Sequence, residues 1–340
     1  MIRWSLPVAL PSTPALMECG EGVVLLGSCF AERIGQWFVD SLCPTVVNPF
    51  GTLYNPASLA ALLNLCLLEH ENELTHTLQQ SVFIGSDGLY RSWLHDTTLT
   101  CDTPHEAYVL LSAAVAKLHH GLQQARWLFV TFGTNHAYYY QDQVVANCHR
   151  QPQQYFVERS LSLEAIVQQW NTLVTRLLAR YPNVRLVFTV SPYRYAKYGL
   201  HESALSKATL LLAIDRLQQQ YDAISYFPAY EIVIDELRDY RFYTEDLCHP
   251  TLQASDYVWR RLTEWCFSPE LLAQVHDAEQ LQRALRHRVQ HTKSQAYRQF
   301  LDKLRQQLMA FSTRYPWADL TAQLADISQR TAAFNVLDDE

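Results

Sequence analysis

The sequence predicts an α/β fold with a mostly parallel central sheet and a C-terminal helical extension. Three observations carry this. Short apolar runs of strand length recur at residues 23–26, 126–132, 184–190 and 224–227. Longer stretches with apolar residues at helical spacing separate most of them, the order that parallel strands joined by crossover helices require. Beyond residue 266 the strand-like runs stop, and sequence rich in Gln, Arg and His with leucines at helix spacing takes over. The expected division is therefore 1–266 for the α/β domain and 267–340 for the helical extension.

Taken in order, residues 23–26 read as a buried strand that ends in Gly27-Ser-Cys29. Residues 31–42 place Ala31, Ile34, Phe38 and Val39 at helical intervals, so Ser28 falls at a strand-to-helix junction. Two prolines and a glycine mark residues 48–56 as a conformationally fixed loop, and residues 56–68 suit a helix with Pro56 in its first turn. Residues 77–100 read as a small β-hairpin or lid-like insertion carrying Tyr90, Trp93 and His95. A helix over 104–120 leads to the strand at 126–132, which ends in Gly133-Thr-Asn135. A helix over 162–181 leads to the strand at 184–190, which ends in Ser191-Pro192, and a helix over 204–220 precedes the shorter run at 224–227. Ligand loops in such folds lie beyond the carboxyl ends of the strands, which gathers Ser28, Gly51, Thr134, Asn135 and Ser191 at one edge of the sheet. In the extension, helical segments over 268–279 and 280–309 carry Leu281, Leu285 and Val289, then Leu301, Leu304 and Leu308. These pack back on the sheet domain or form a homodimer contact, and the apolar heptads are too short-lived for a coiled coil.

Composition narrows the function. The chain is 49% hydrophobic and 12% aromatic, enough to fill a core, and its formal charge is -7. Its 27 Lys and Arg are scattered rather than gathered into a stripe, which argues against a nucleic-acid partner. The basic surplus at Arg283, Arg286, Arg288, Lys293, Arg298, Lys303 and Arg305 reads as a solvated face, with a polyanion-binding face as the alternative. No run of 18 apolar residues occurs, so no transmembrane segment is expected. The first 13 residues, with Arg3, Pro7 and Pro11, hold too brief an apolar stretch for a signal peptide, so the chain reads as cytoplasmic. The eight cysteines are far apart without a C-x-x-C pair and read as free thiols. No metal and no organic cofactor is expected, since Cys29, Cys148 and Cys248 lack zinc-ligand spacing.

The chemistry rests on three features. Ser28 has a permissive glycine before it and a helix after it, whose first amides and positive dipole end suit a developing oxyanion; the same position also suits a helix cap. Asp246 and His249, separated by two residues and followed by Pro250, can fold onto each other so that the carboxylate holds Nδ1 and leaves Nε2 to act as a general base. Gly51 and Asn135 offer an open amide and a carboxamide as oxyanion donors beside the Ser28 amide, while Asn135 alternatively ties its own turn together. Tyr90, Trp93, Thr134, His149, Ser191 and Arg194 are substrate-binding candidates, each with an equally ordinary structural role. Ser206-Lys207 is set aside as a dyad because adjacent helical side chains do not face each other. Cys29 is a competing nucleophile, but its side chain should turn into the helix or core if Ser28 faces the cleft.

Gly27-Ser-Cys-Phe-Ala31, Asn48-Pro-Phe-Gly-Thr-Leu-Tyr-Asn-Pro56, Gly133-Thr, Asn147-Cys-His149 with Pro152, Thr189-Val-Ser-Pro192, Ser206-Lys207 and the run from Tyr240 to Pro250 together resemble the bacterial GSCFA domain family over about residues 17–265. That family is regarded as related to the SGNH, or GDSL-like, hydrolases, a three-layer α/β class of esterases, lipases and carbohydrate acetylesterases. The resemblance implies Ser28 as nucleophile, Gly51 and Asn135 as oxyanion residues, and Asp246 and His249 as acid and base. This chain departs from the hydrolase pattern in Gly-Ser-Cys where Gly-Asp-Ser is usual, and in His136 after Asn135 where Asp is usual. It also lacks the Gly-x-Ser-x-Gly elbow of the ordinary α/β-hydrolase. The activity implied is a serine esterase removing a short O-acyl group, such as O-acetyl, from a carbohydrate-like substrate. The alternatives are an O-acyltransferase using the same site and a noncatalytic carbohydrate-binding protein.

Overall fold

The computed structural model of the chain describes residues 6–13, 15–287 and 294–338. Arg3, Arg288, Val289 and Lys293 lie outside the described residues. Among the described residues two compact units are distinguished: one takes in residues 6–13, 22–35 and 45–265, the other residues 15–21, 36–44, 266–287 and 294–338.

In the first unit, β1 (Gly22–Gly27) runs into α1 (Cys29–Asp40), whose residues 36–40 are counted with the second unit, and β2 (Thr45–Val47) follows. Next come α2 (Pro56–Leu65), α3 (Glu71–Ser81), β3 (Val82–Ile84), β4 (Tyr90–Ser92) and α4 (Pro104–Gln124). Beyond them lie β5 (Ala125–Phe132), β6 (His136–Tyr140), β7 (Gln143–Val145), β8 (Val157–Ser160), α5 (Leu163–Arg180), β9 (Arg185–Val190) and α6 (Leu200–Gln218). β10 (Ile224–Tyr226), the short α7 (Ala229–Glu231) and α8 (Leu252–Cys266) complete it. Helix starts follow local capping chemistry. Asn55, Thr103 and Ser162 each accept a hydrogen bond from the amide three residues on, and prolines at the starts of α2 and α4 occupy positions where no amide bond is needed.

The central sheet has strand order β10-β9-β5-β1-β2, and every pair in it is parallel. Val24, Leu128, Leu186 and Ile224 stand in register across four strands, with Leu26, Val130 and Phe188 in a second row. These residues belong to a core completed by Leu63, Leu111, Leu118, Trp170 and Leu210 from the helices. Side chains alternate along a strand, so Val23, Leu25, Trp127, Phe129 and Val187 point to the opposite face, and they too are buried. Burial on both faces explains why the strands read as largely apolar runs without alternation. The chain leaves β1 outward to β2 and later resumes at β5 on the other side of β1. That reversal opens a crevice beyond the carboxyl ends of β1 and β5.

Two small antiparallel sheets flank this frame. β3 and β4 form a hairpin directly after α3. β6, β7 and β8 form a three-stranded sheet in the order β7-β6-β8. Residues 71–81 are helical, so the hairpin is shorter than the expected insertion.

The second unit contains α9 (Pro269–Leu285), α10 (Gln295–Arg314) and α11 (Thr321–Asp338). Ala278, Leu281, Leu285, Leu304, Leu308 and Phe311 form its core with Leu42, Tyr315, Leu320 and Ile327. The α9 helix runs through residue 285 where the sequence suggested a break near 279, because Ala278, Leu281 and Leu285 continue one apolar stripe. Among the described residues, no helix is long and apolar enough to cross a membrane.

Candidate functional site

Ser28 is placed by the residue before it and the helix after it. Gly27 has φ 147°, and a Cβ there would stand 2.5 Å from the Thr131 carbonyl oxygen, so only glycine lets β1 and β5 approach so closely. Ser28 is buried, its Oγ accepts a 3.3 Å hydrogen bond from the Phe30 amide, and its carbonyl accepts from the Glu32 amide. It thus caps α1 while lining a pocket at the carboxyl ends of β1, β5 and β9.

The loop over residues 48–56 is pinned to the same edge. Asn48 Oδ1 accepts from the Gly27 amide, the Leu53 amide donates to the Gly27 carbonyl, and the Tyr54 carbonyl accepts from the amides of both Gly133 and Thr134. Asp96 accepts from the Thr52 amide at 2.7 Å. Burial raises the Asp96 pKa, but hydrogen bonds from His95, Thr98 and Thr52 overcome it and hold the carboxyl below the usual range.

His249 arrives on a loop shaped by one carboxylate. Asp246 Oδ1 accepts from the Thr244 hydroxyl and from the amides of Cys248 and His249, while Oδ2 pairs with His249 Nδ1. The backbone and ring bonds from His249, joined by those from Cys248 and Thr244, hold the Asp246 carboxyl below the usual range. Tyr193 packs against the His249 ring, centroids 4.4 Å apart, and the Arg194 amide donates to the Cys248 carbonyl.

These elements enclose a cavity of about 230 Å³ lined by Ser28, Cys29, Thr52, Tyr54, Gly133, Thr134, Ser191, Tyr193, Tyr195 and His249. Of the residues singled out in the sequence, Ser28, His249, Thr134 and Ser191 meet here, with Asp246 directly behind the imidazole. Among the described residues no hydrogen bond joins Ser28 to His249. The other candidates lie outside the lining. The Gly51 amide donates to the Asn48 carbonyl, and the Asn135 carboxamide donates to the Leu161 carbonyl at 2.9 Å. Tyr90 pairs with Cys101 in a β-bridge. Trp93 stacks on Phe83 and contacts Tyr140, His149 and Phe156. His149 is buried with Nε2 2.8 Å from the Ser92 carbonyl, and burial lowers its pKa. Arg194 lines a different pocket.

One expectation is corrected. Cys29 does not turn inward; it is exposed and shares the pocket lining with Ser28, because both stand at the open end of α1 rather than on its packed face. Desolvation of the thiol raises its pKa, which keeps it protonated at neutral pH.

Sequence reading passed over two groups. Tyr54, Tyr193 and Tyr195 supply three aromatic walls; the first lies inside a quoted motif, and the other two follow Pro192 at the end of β9. Lys207 is 2% exposed, and its Nζ donates to the Gly133 carbonyl at 2.6 Å and the Ser191 carbonyl at 2.7 Å. Burial pushes its pKa down to about 7. The preceding Ser206 accepts from the Asn135 amide and pairs with the Thr134 hydroxyl. The two neighbours thus do not act on each other: each holds a pocket wall. The signal was a lysine on the apolar stripe of Leu210, Ile214 and Leu217, where burial of a charge needs a reason. Among the described residues, no cluster of His, Cys, Asp and Glu is arranged to hold a metal ion.

With that geometry in place, comparison with known proteins adds two matches. Residues 22–262 match the GSCFA family, and residues 278–333 match the C-terminal domain of GSCFA domain proteins. No curated protein matches the chain.

Proposed function

The chain belongs to the GSCFA family, and on that premise we propose that it is a serine ester hydrolase of SGNH-like, three-layer type that removes a short O-acyl group, such as O-acetyl, from a carbohydrate-like substrate. The observation that carries this reading is that Ser28, at the start of α1, and His249, oriented by Asp246, open on one small pocket. Ser28 Oγ attacks the acyl carbon as His249 Nε2 takes its proton. The tetrahedral oxyanion forms at the amino end of α1, where amides and the helix dipole favour negative charge. His249 returns the proton to the leaving alcohol, and a water activated by the same imidazole releases Ser28. The Gly51 amide is taken by the Asn48 carbonyl and shapes its loop, and Asn135, with one of its two amide protons on the Leu161 carbonyl, lies outside the pocket lining. A pocket of about 230 Å³ suits a short acyl group, and the tyrosine walls suit the face of a sugar ring.

Purified protein is incubated with p-nitrophenyl acetate, acetylated sugars and a fluorophosphonate probe. Labelling at Ser28 that disappears in Ser28→Ala and weakens in His249→Ala is the expected result. The capping bond from Phe30 to Ser28 favours one competing reading, a carbohydrate-binding protein in which Ser28 is purely structural. That reading predicts sugar binding with no acylation of Ser28.

A further inference from the structure

A second cavity, of about 180 Å³, stands beside the His249 loop and is lined by Arg194, Val233, Ile234, Arg238, Asp239, Tyr240 and Tyr243. Its two arginines are without acidic partners: among the described residues, neither guanidinium has a carboxylate within ion-pair distance. The single carboxylate in the lining, Asp239, is engaged by Arg241 through its side chain at 3.2 Å and its amide at 2.9 Å. Arg194 lies over the rings of Tyr240 and Tyr243, 5.4 and 5.6 Å from their centroids. One Arg194 N–H is taken by the Tyr240 side chain, and the remaining in-plane N–H groups are left for a planar or tetrahedral acceptor. Tyr243 is only 9% exposed, and its hydroxyl is buried without a hydrogen-bond partner. An orphaned buried hydroxyl is costly unless something supplies the missing bond. Arg238 is presented by an unusual turn: residues 232–237 wind as a π-helix, and Arg238 ends it in the left-handed region at φ 31°.

From these groups we infer that this cavity is an oxyanion-binding site, taking a carboxylate or phosphate group between Arg194 and Arg238 with the Tyr243 hydroxyl completing its shell. The site is separate from the pocket that holds Ser28 and stands whether or not Ser28 is acylated. Neighbouring residues border both, since Tyr193 packs on His249 while the Arg194 backbone amide donates to the Cys248 carbonyl.

The test uses the full chain and titrates inorganic phosphate and succinate separately by calorimetry, which distinguishes the two sources of the same chemistry. At least one of the two anions binds, and Arg194→Gln and Arg238→Gln each weaken it about tenfold or more. Arg238 is exposed, so its variant folds even if Arg194→Gln does not. Tyr243→Phe, which removes only the hydroxyl, also weakens the anion that binds. Failure of both anions to bind up to about 50 mM overturns the inference, as does equal binding by the wild type and Arg238→Gln.

Discussion

Replacing Lys207 by methionine separates the cost of burying an ammonium from the bonds it makes. The fall of its pKa from the usual 10.5 to about 7 means the folded protein holds this proton more weakly than the unfolded chain does. Stability is therefore lowest below pH 7 and recovers as the pH rises toward 10.5. At about 1.4 kcal/mol for each tenfold change in proton affinity, the full penalty is about 5 kcal/mol, of which about 3 kcal/mol is regained between pH 7 and about pH 9.5. The Gly133 and Ser191 carbonyls favour the charged form, so these figures are upper bounds. Desolvated thiols work in the opposite sense: Cys43 and Cys66, pushed up to about 12, hold their protons more tightly when folded and withdraw stability as the unfolded thiols ionise. The readout is consequently a difference. Urea unfolding of the wild type and Lys207→Met is measured at pH 7 and near pH 9.5, and the wild type gains on the variant by up to about 3 kcal/mol across that interval. Parallel pH profiles for the two proteins would refute the reasoning.

Further outcomes follow from the same geometry. Ser28→Ala removes the acceptor for the Phe30 amide and lowers the free energy of unfolding by about 1 kcal/mol, measured in urea, while abolishing fluorophosphonate labelling. Asp246→Asn keeps the loop's amide acceptor but removes the carboxylate that accepts from His249 Nδ1, and kcat/KM for p-nitrophenyl acetate falls about a thousandfold or more. Gly51→Ala forces a side chain into φ 73° and onto the Asp96 carboxylate, about which the Thr52 loop is built. Its thermal midpoint falls by the equivalent of about 2 kcal/mol or more, with lost activity from the displaced Thr52 wall.

The parallel sheet was legible because its strands are buried on both faces: residues 127–130 and 186–188 present continuous apolar runs that no amphipathic surface strand would show. That Ser28 and His249 line one pocket, with Asp246 on the imidazole, was legible because each sits in a short local pattern at a strand end or tight turn. The sheet of β6, β7 and β8 was not. β8 is largely exposed, so its residues carry no alternation of apolar and polar types. Helix α8 escaped notice because its buried residues, Ala254, Val258 and Leu262, are interleaved with Arg260, Arg261 and Glu264. The hydrogen-bond commitments of Gly51 and Asn135 were invisible for a different reason. A glycine amide and a carboxamide look equally available in a sequence, and only the fold shows that Asn48 takes the Gly51 amide and Leu161 one proton of the Asn135 carboxamide.

Cys29 gives the chemist a handle on the pocket. Cys66 and Cys266 are sequestered from reagents, whereas this thiol opens on the same chamber as the serine. Its raised pKa makes it sluggish toward indiscriminate alkylation, so selectivity would come from an electrophile first seated among Tyr54, Tyr193 and Tyr195. A fluorophore tethered there would serve as an occupancy gauge, reporting when a guest molecule enters or leaves without requiring that it be turned over.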